Sequence, residues 1–355
     1  MNPPDATSAV LPNSRRRQAG WPCQLRQRQP AKGRPHDHDH APSDRVHQRT
    51  LDAHRRSGQR PLVLLLHGFP ESWYSWRHQL VALAEAGYHA VAPDQRGYGG
   101  TGGPDEVDQY SLLHLSGDVL GLLPALGADR AVVVGHDWGA PVAWTSALLR
   151  PDLVRGVVGL SVPPFPRGPM PLLQLFRQLL GDDYYMVHFQ QPGVADAELA
   201  RDPYTTFRTV LAGRPRLSPD GIPLVPEGNG FLDMFTLPTD LPDWLTEDDL
   251  AHFATEFTAN GFTRPLNWYR NLDRNWYLTA PWHNAQILPP ALLILGEHDL
   301  VVANDGARAG LAALNELAPN LAEPLWLPDC GHWTQQEKPK EVNQALLGFL
   351  DGLAD

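Results

Sequence analysis

Residues 131–139 read Ala131-Val132-Val133-Val134-Gly135-His136-Asp137-Trp138-Gly139 and are the most informative part of the sequence for the fold. An apolar, β-branched run ends at Gly135, and an Ala-rich segment of helical character begins after Gly139. Small residues at these two positions allow a sharp turn from strand to helix that holds a nucleophile clear of the backbone. The pattern G-x-D-x-G therefore predicts that Asp137 is a nucleophile. Serine at this place would attack an acyl carbon, whereas a carboxylate displaces a leaving group at an sp³ carbon and forms an alkyl-enzyme ester.

The composition is that of an ordinary globular chain, with 42% hydrophobic and 19% charged residues among 355. The apolar runs are too short to span a bilayer, and two distant cysteines favour a reducing compartment, so a cytoplasmic location is predicted. Residues 1–60 carry 12 Lys/Arg against 5 Asp/Glu, which leaves 17 against 35 in the remainder. An acidic body argues against nucleic acid or an anionic membrane as partner.

The first sixty residues show no helical or strand periodicity. Residues 53–60 can be back-translated to DNA with one permitted choice of codons. When that DNA is read in a frame shifted by one base, it encodes a plausible strand end and turn. We therefore expect residues 1–60 to be a disordered tail or the product of a wrong start or reading frame. The tract His36–His40 in such a tail predicts at most weak metal binding, so neither a metal site nor a cofactor is expected.

From Pro61 the sequence alternates strand and helix patterns, which predicts an α/β fold with a mostly parallel sheet and helices on both faces. Strands are predicted at Leu62–Leu66, Tyr88–Ala92, Ala131–Val134, Val154–Leu160, Ala291–Leu295 and Pro324–Leu327. Helices are predicted at Trp76–Ala86, at Ser111–Leu126, near Asn304–Leu317 and from Pro339. Residues 165–285 are rich in Pro and aromatic residues and show no clear strand. We expect a core of residues 61–164 and 286–355 that carries an inserted helical cap at 165–285.

Three residues follow predicted strands in the order Asp137, Asp299, His332. Nucleophile, acid and histidine in this order are typical of the α/β-hydrolase triad, and the carboxyl ends of parallel strands face one crevice. We expect Asp137 to form the ester, His332 to activate water and Asp299 to orient the imidazole. The backbone N–H groups of Phe69 and Trp138 are the candidate oxyanion donors.

The chain resembles the epoxide hydrolases of the α/β-hydrolase fold, of the soluble type. The resemblance runs from about Leu62 to Leu350 through HGFPESWYSWRHQL, APDQRGYG, GHDWGA, FQQPGVADAEL, GFTRPLNWYRN and DCGHWTQ. It implies conversion of epoxides to vicinal diols, with epoxide and water as the partners, and a role in detoxification. It also implies that two cap tyrosines hold the epoxide oxygen, namely Tyr185 (with Tyr184 as the lesser candidate) and Tyr269. The edge hairpin that the family usually has before the first core strand is missing from the pattern of residues 38–60.

The substrate itself is left open by the sequence. Residues expected to line an apolar substrate pocket are Trp138, Met186, Phe189 and Trp268, with Trp244 and Trp282 as further cap candidates. A haloalkane dehalogenase would use the same Asp nucleophile, and a non-catalytic ligand receptor on the same fold is an alternative from another class. The oligomeric state is also open, a dimer being one option.

Overall fold

The computed structural model describes residues 61–219, 221–302, 308, 310–311 and 314–353. All of the described residues belong to the same unit. The predictions made for residues 1–60, including the tail and the edge hairpin, lie outside the described residues. So does half of the helix predicted near Asn304–Leu317, namely residues 304–307, 309 and 312–313.

A parallel sheet forms the centre of the described chain, with the strand order β2-β1-β3-β4-β7-β8. A separate antiparallel pair, two residues on each side, joins β5 to β6. The strands are β1 (Leu62–Leu66), β2 (His89–Val91), β3 (Ala131–His136), β4 (Val154–Leu160), β5 (Arg214–Pro215), β6 (Phe235–Thr236), β7 (Ala291–Gly296) and β8 (Leu325–Leu327).

Helices follow most of these strands and fill the long segment between β4 and β7. They are α1 (Arg77–Glu85), α2 (Leu112–Ala125), α3 (Gly139–Leu149), α4 (Leu172–Leu180), α5 (Tyr185–His188), α6 (Val194–Ala200), α7 (Pro203–Phe207), α8 (Glu247–Asn260), α9 (Thr263–Tyr269), α10 (Leu272–Leu278), α11 (Leu314–Leu317), α12 (Thr334–Glu337) and α13 (Pro339–Asp351). Short 3₁₀ or π turns occupy Trp73–Trp76, Val107–Tyr110, Arg208–Ala212, Phe231–Met234, Ala280–Trp282 and Leu300–Val302.

Both faces of the sheet are covered. Alternate side chains of β1 point in opposite directions, so Val63 and Leu65 pack with α1 and α13, while Leu64 and Leu66 pack with α2 and α3. The predicted parallel α/β fold with helices on both faces is therefore confirmed. The bounds of β1 and β4 agree with the prediction, whereas β3 runs two residues further, to His136.

The chain from 161 to 290 leaves the sheet after β4 and returns at β7, and most of its ordered elements are short helices. The pair β5–β6 within it was not predicted from the sequence. Each strand has only two residues, which are too few to show an alternating pattern, and one of those in β5 is Pro215. No helix in the described part of the chain is long and apolar enough to cross a membrane.

Candidate active site

The turn between β3 and α3 presents Asp137 at the carboxyl edge of the sheet. Asp137 has a φ of +48°, a left-handed conformation that is strained for a residue other than glycine. A Cβ at Gly135 would collide with the backbone of Gly139, and a Cβ at Gly139 would collide with Leu66. The two glycines are therefore required by close packing of the turn, as the G-x-D-x-G pattern predicts.

The two oxygens of the Asp137 carboxylate have different partners. The backbone N–H of Phe69, in the loop after β1, donates to Oδ1 at 2.7 Å. Oδ2 lies 3.3 Å from Nε2 of His332. A Cβ at Gly68 would overlap the Asp137 side chain, so glycine there allows the loop to approach this closely. The backbone N–H of Trp138 has no hydrogen bond to another backbone group among the described residues.

His332, in the loop after β8, is held from its other side by Asp299. Its Nδ1 donates to Asp299 Oδ1 at 2.9 Å, and the same oxygen accepts the Val301 N–H at 2.9 Å. Burial by itself would lower the pKa of His332, but the charges and hydrogen bonds of Asp299 and Asp137 outweigh it and raise this pKa well above its ordinary value. Burial would likewise raise the pKa of Asp299, but His332 lowers it. The three groups form a row in which His332, between two carboxyl groups, holds its proton more tightly than a free imidazole does, because its pKa is raised.

A cavity of about 640 Å³ opens beside Asp137 and His332. Tyr185 and Tyr269 line it, with their rings 6.4 Å apart, whereas Tyr184 does not. Burial is the largest cause that raises the pKa of each lining tyrosine well above its usual value, so both hydroxyls keep their protons. Most other lining residues are apolar, among them Phe69, Val210, Leu211, Phe231, Met234 and Trp244.

Most of the residues predicted to line the pocket lie elsewhere. Phe189 and Trp268 are fully buried, and neither they nor Met186 nor the Trp138 side chain borders the cavity. Phe189 packs edge-on against Tyr269, and Trp268 donates through its indole N–H to the Arg96 carbonyl. They form a second layer of aromatic side chains behind the wall. Trp282 is also absent from the lining, and only Trp244 among these candidates borders the cavity.

Glu71 and His136 are part of the site, although the sequence analysis did not single them out. Glu71 Oε2 accepts the Gly68 N–H at 2.9 Å and contacts His136 Nδ1 at 2.7 Å. His136 Nε2 contacts the His332 carbonyl oxygen at 2.7 Å. Both partners of His136 are acceptors, so the ring is placed to donate from either nitrogen and forms a buried pair with Glu71.

This buried ion pair joins the loop of Phe69 to the loop of His332. Burial would raise the pKa of Glu71, but the charge and hydrogen bond of His136, helped by Gly68, lower it to about 2. Gln335 and Gln336 donate to the other carboxylate oxygen, at 3.0 and 3.3 Å. A usable signal was present in the sequence, because both residues stand inside the quoted motifs HGFPE and GHDWGA.

A second buried ion pair connects this region to the segment between β4 and β7. Arg77 donates to Gln336 at 2.7 Å and lies 3.2 Å from Asp249 of α8. Asp249 also forms a capping box with Thr246, which fixes the start of that helix. The buried polar contacts thus run from α8 through Gln336 to Glu71. Among the described residues, no group of three or more His, Cys, Asp or Glu side chains is arranged to hold a metal ion.

Comparison with known proteins agrees with this geometry. Residues 61–204 match the family model described as the alpha/beta hydrolase fold. The chain is 47% identical to epoxide hydrolase A of Mycobacterium tuberculosis, over 82% of this chain and 91% of that protein. It is 43% identical to epoxide hydrolase 3 of Siraitia grosvenorii, over 83% and 93%. The crystal structure of epoxide hydrolase A from Mycobacterium thermoresistibile superposes with a TM-score of 0.78 at 48% identity, covering 84% of this chain and 93% of that one. The chain therefore belongs to the epoxide hydrolases of the α/β-hydrolase fold.

Proposed function

We propose that the protein hydrolyses epoxides to vicinal diols through an alkyl ester on Asp137. The observation that carries the proposal is the carboxylate of Asp137 at the wall of an apolar cavity that Tyr185 and Tyr269 also line. A carboxylate nucleophile fits attack at an sp³ carbon, and two protonated phenols fit an oxygen that develops alkoxide charge. A halide leaving group would have no need of the phenols.

In the first step Asp137 attacks an epoxide carbon and the carbon–oxygen bond of the ring breaks. Because the Phe69 N–H holds Oδ1, we assign the attack to Oδ2, and Oδ1 becomes the ester carbonyl oxygen. The released alkoxide takes a proton from Tyr185 or Tyr269, which leaves a phenolate. Positioned donors of this kind typically contribute about 10² to 10⁴ in rate.

Formation of the ester converts His332 into a base. Of the two carboxylates that raise the His332 pKa, Asp137 loses its charge when it is alkylated. The pKa of His332 therefore falls, and the proton it releases returns the phenolate to phenol. His332 is thus neutral when hydrolysis of the ester begins, which is the step in which it must accept a proton from water.

In the second step the neutral His332 takes a proton from water as the water oxygen attacks the ester carbonyl carbon. The charge develops on Oδ1, where the Phe69 N–H already donates, and the Trp138 N–H is our candidate second donor. Collapse of the intermediate releases the diol and restores the Asp137 carboxylate beside charged His332. Asp299 stabilises the imidazolium throughout.

The cavity supports the division of the chain into core (61–164 and 286–355) and helical cap (165–285). Its lining combines core residues such as Phe69 and His332 with residues of 165–285 such as Tyr185 and Tyr269. The largely apolar lining favours an aromatic or aliphatic epoxide. The cytoplasmic location and the role in detoxification stay predictions.

Purified protein given styrene oxide and, separately, 1-bromobutane tests the proposed function. We expect the diol from styrene oxide, measured by chromatography, and no bromide release from the second compound. Bromide without diol would favour the haloalkane dehalogenase. Absence of both products would favour a non-catalytic receptor.

The adjacent pair Tyr184 and Tyr185 gives a matched test of the phenol role. We expect Tyr185→Phe to slow ester formation about tenfold to hundredfold, since one of two donors to the alkoxide is lost. Tyr184→Phe should have a much smaller effect on this rate, because Tyr184 packs on Phe176 and Tyr185 but does not border the cavity. Single-turnover rapid-quench experiments followed by intact mass measure the rate. Equal rates for the two variants would remove Tyr185 from the mechanism.

A further inference from the structure

Ser161 is a strained residue at the carboxyl edge of the sheet. It directly follows β4, the strand that lies between β3, which leads to Asp137, and β7, which leads to Asp299. Ser161 is fully buried and has a φ of +67°, a conformation that serine rarely adopts. Its N–H donates to the Ile294 carbonyl of β7 at 2.9 Å, which fixes it against that strand. Strain of this kind persists where the surrounding structure enforces it, often at functional sites.

The Ser161 hydroxyl lies between two parts of the catalytic row. It donates to the backbone carbonyl oxygen of His332 at 2.7 Å. That oxygen also accepts the His136 Nε2–H at 2.7 Å, so both of its lone pairs are used. The carbonyl oxygen of His332 would still have a hydrogen-bond donor, the His136 Nε2–H, if the Ser161 hydroxyl turned away.

Asp299 has the opposite arrangement, because one of its oxygens lacks a donor. Oδ1 accepts from His332 and Val301, whereas Oδ2 is buried and has no hydrogen-bond partner among the described residues. A buried carboxylate oxygen that lacks a hydrogen-bond donor lowers the free energy of unfolding. Ser161 is one of the groups that lower the pKa of Asp299, which indicates that its hydroxyl is close enough to act on this carboxylate.

The need for a donor at Oδ2 changes during the reaction. While His332 is charged, its imidazolium balances the negative charge of Asp299, and Oδ2 can remain without a hydrogen-bond partner. Once the ester has formed and His332 is neutral, Asp299 is a fully buried negative charge with no adjacent cation in the row. A hydroxyl that turned to Oδ2 at this stage would stabilise the state in which His332 serves as base.

We propose that Ser161 is a positioning residue for ester hydrolysis, whose hydroxyl donates to the His332 carbonyl when His332 is charged and turns to Asp299 Oδ2 when His332 is neutral. This role rests on the proposed two-step function. Its consequence is that Ser161 lowers the affinity of His332 for a proton in the ester state. Four groups contact the His332 ring, and they are Asp137, Asp299, the His136 ring and Trp333.

Two variants separate the hydroxyl from the backbone strain. Ser161→Ala removes the hydroxyl and keeps the strain, whereas Ser161→Gly removes both, since glycine adopts positive φ readily. We expect hydrolysis of the ester to slow about tenfold at neutral pH in both variants, with unchanged ester formation. The pH midpoint of the hydrolysis rate should move upward by about one unit, because Asp299 without its donor holds the His332 proton more tightly.

Ser146→Ala is the matched control. Ser146 is equally buried and its hydroxyl donates to the Val142 carbonyl at 2.8 Å within α3, away from the row. Rates of ester formation and hydrolysis are measured by intact mass in single turnovers across pH, beside thermal unfolding of each variant. The control should lose some stability and keep the pH midpoint.

Three outcomes would overturn the role of Ser161. An unchanged pH midpoint in both variants would show that another donor, such as a water, serves Oδ2. Normal hydrolysis in Ser161→Gly with slow hydrolysis in Ser161→Ala would assign the effect to the backbone. A midpoint shift of the same size in Ser146→Ala would make it a general effect of lost stability. If the unchanged protein forms no ester and no diol from styrene oxide, the proposed function fails as well, which distinguishes that failure from the others.

Discussion

Replacing Asp137 by Asn lowers diol formation at least about 10⁴-fold, because the neutral amide is a poor nucleophile and no other described carboxylate occupies the turn. The Asn side chain keeps the size of Asp and can still adopt the left-handed φ of +48°. Folding should therefore be retained, and the loss should appear as absent ester formation in single-turnover mass measurements. The variant and the unchanged protein thus differ only in that an amide nitrogen replaces one carboxylate oxygen of the nucleophile.

Asp329→Asn is the matched control for this variant. Asp329 also has a φ of +48° and borders the cavity, but its side chain is 90% exposed and lies 3.8 Å from His298. We expect this variant to retain turnover within about a factor of two. Comparable losses in both variants would show that the carboxylate of Asp137 has no special role.

Replacing His332 by Gln should stop the reaction after its first step. The amide cannot take a proton from water, so the ester on Asp137 accumulates while alkylation continues. Intact mass should rise by the full mass of the epoxide, and peptide mapping should place the adduct on Asp137. Diol formation should fall about 10³-fold or more.

The neighbouring loop provides a control for this change as well. His298 precedes Asp299 and borders the cavity, but its side chain is 66% exposed and pairs with Asp329, so His298→Gln should turn over normally and show no adduct. An unmodified mass of the His332→Gln protein after exposure to substrate would contradict a two-step mechanism.

Local patterns were sufficient to predict the sheet and the nucleophile turn. The β-branched run of β3 followed by Gly135 and Gly139 leaves few alternatives, because a Cβ at either glycine would collide with backbone. The bounds of β1 and β4 follow from continuous apolar runs of buried parallel strands. The residues that follow β3, β7 and β8 come together at one edge because parallel strands align their carboxyl ends.

The cavity wall could not be predicted in the same way. Aromatic content identified the segment between β4 and β7, but it does not tell which face of a short helix is turned to the cavity. Phe189 is four residues after Tyr185, yet it is fully buried behind the lining while Tyr185 borders the cavity. Val210 and Leu211 line the cavity from a π turn that has no clear periodicity.

The contacts of the supporting polar residues, unlike their positions inside sequence motifs, were beyond local patterns. Glu71 and His136 are 65 positions apart, and their contact depends on the pairing of β1 with β3. Ser161 becomes informative only when the strand order places it between β3 and β7. Each of these contacts is set by sheet topology, which a local reading of the sequence does not contain.

A single turnover in water enriched in ¹⁸O distinguishes hydrolysis of an ester on Asp137 from direct attack of water on the epoxide. Enzyme in excess over styrene oxide is quenched after one cycle, and the diol and the peptide that contains Asp137 are weighed. The ester mechanism predicts ¹⁸O in the Asp137 carboxylate and none in the first-turnover diol, since water attacks the ester carbonyl carbon. Label in the diol and none in Asp137 would mean that water attacks the epoxide itself, and would contradict the account.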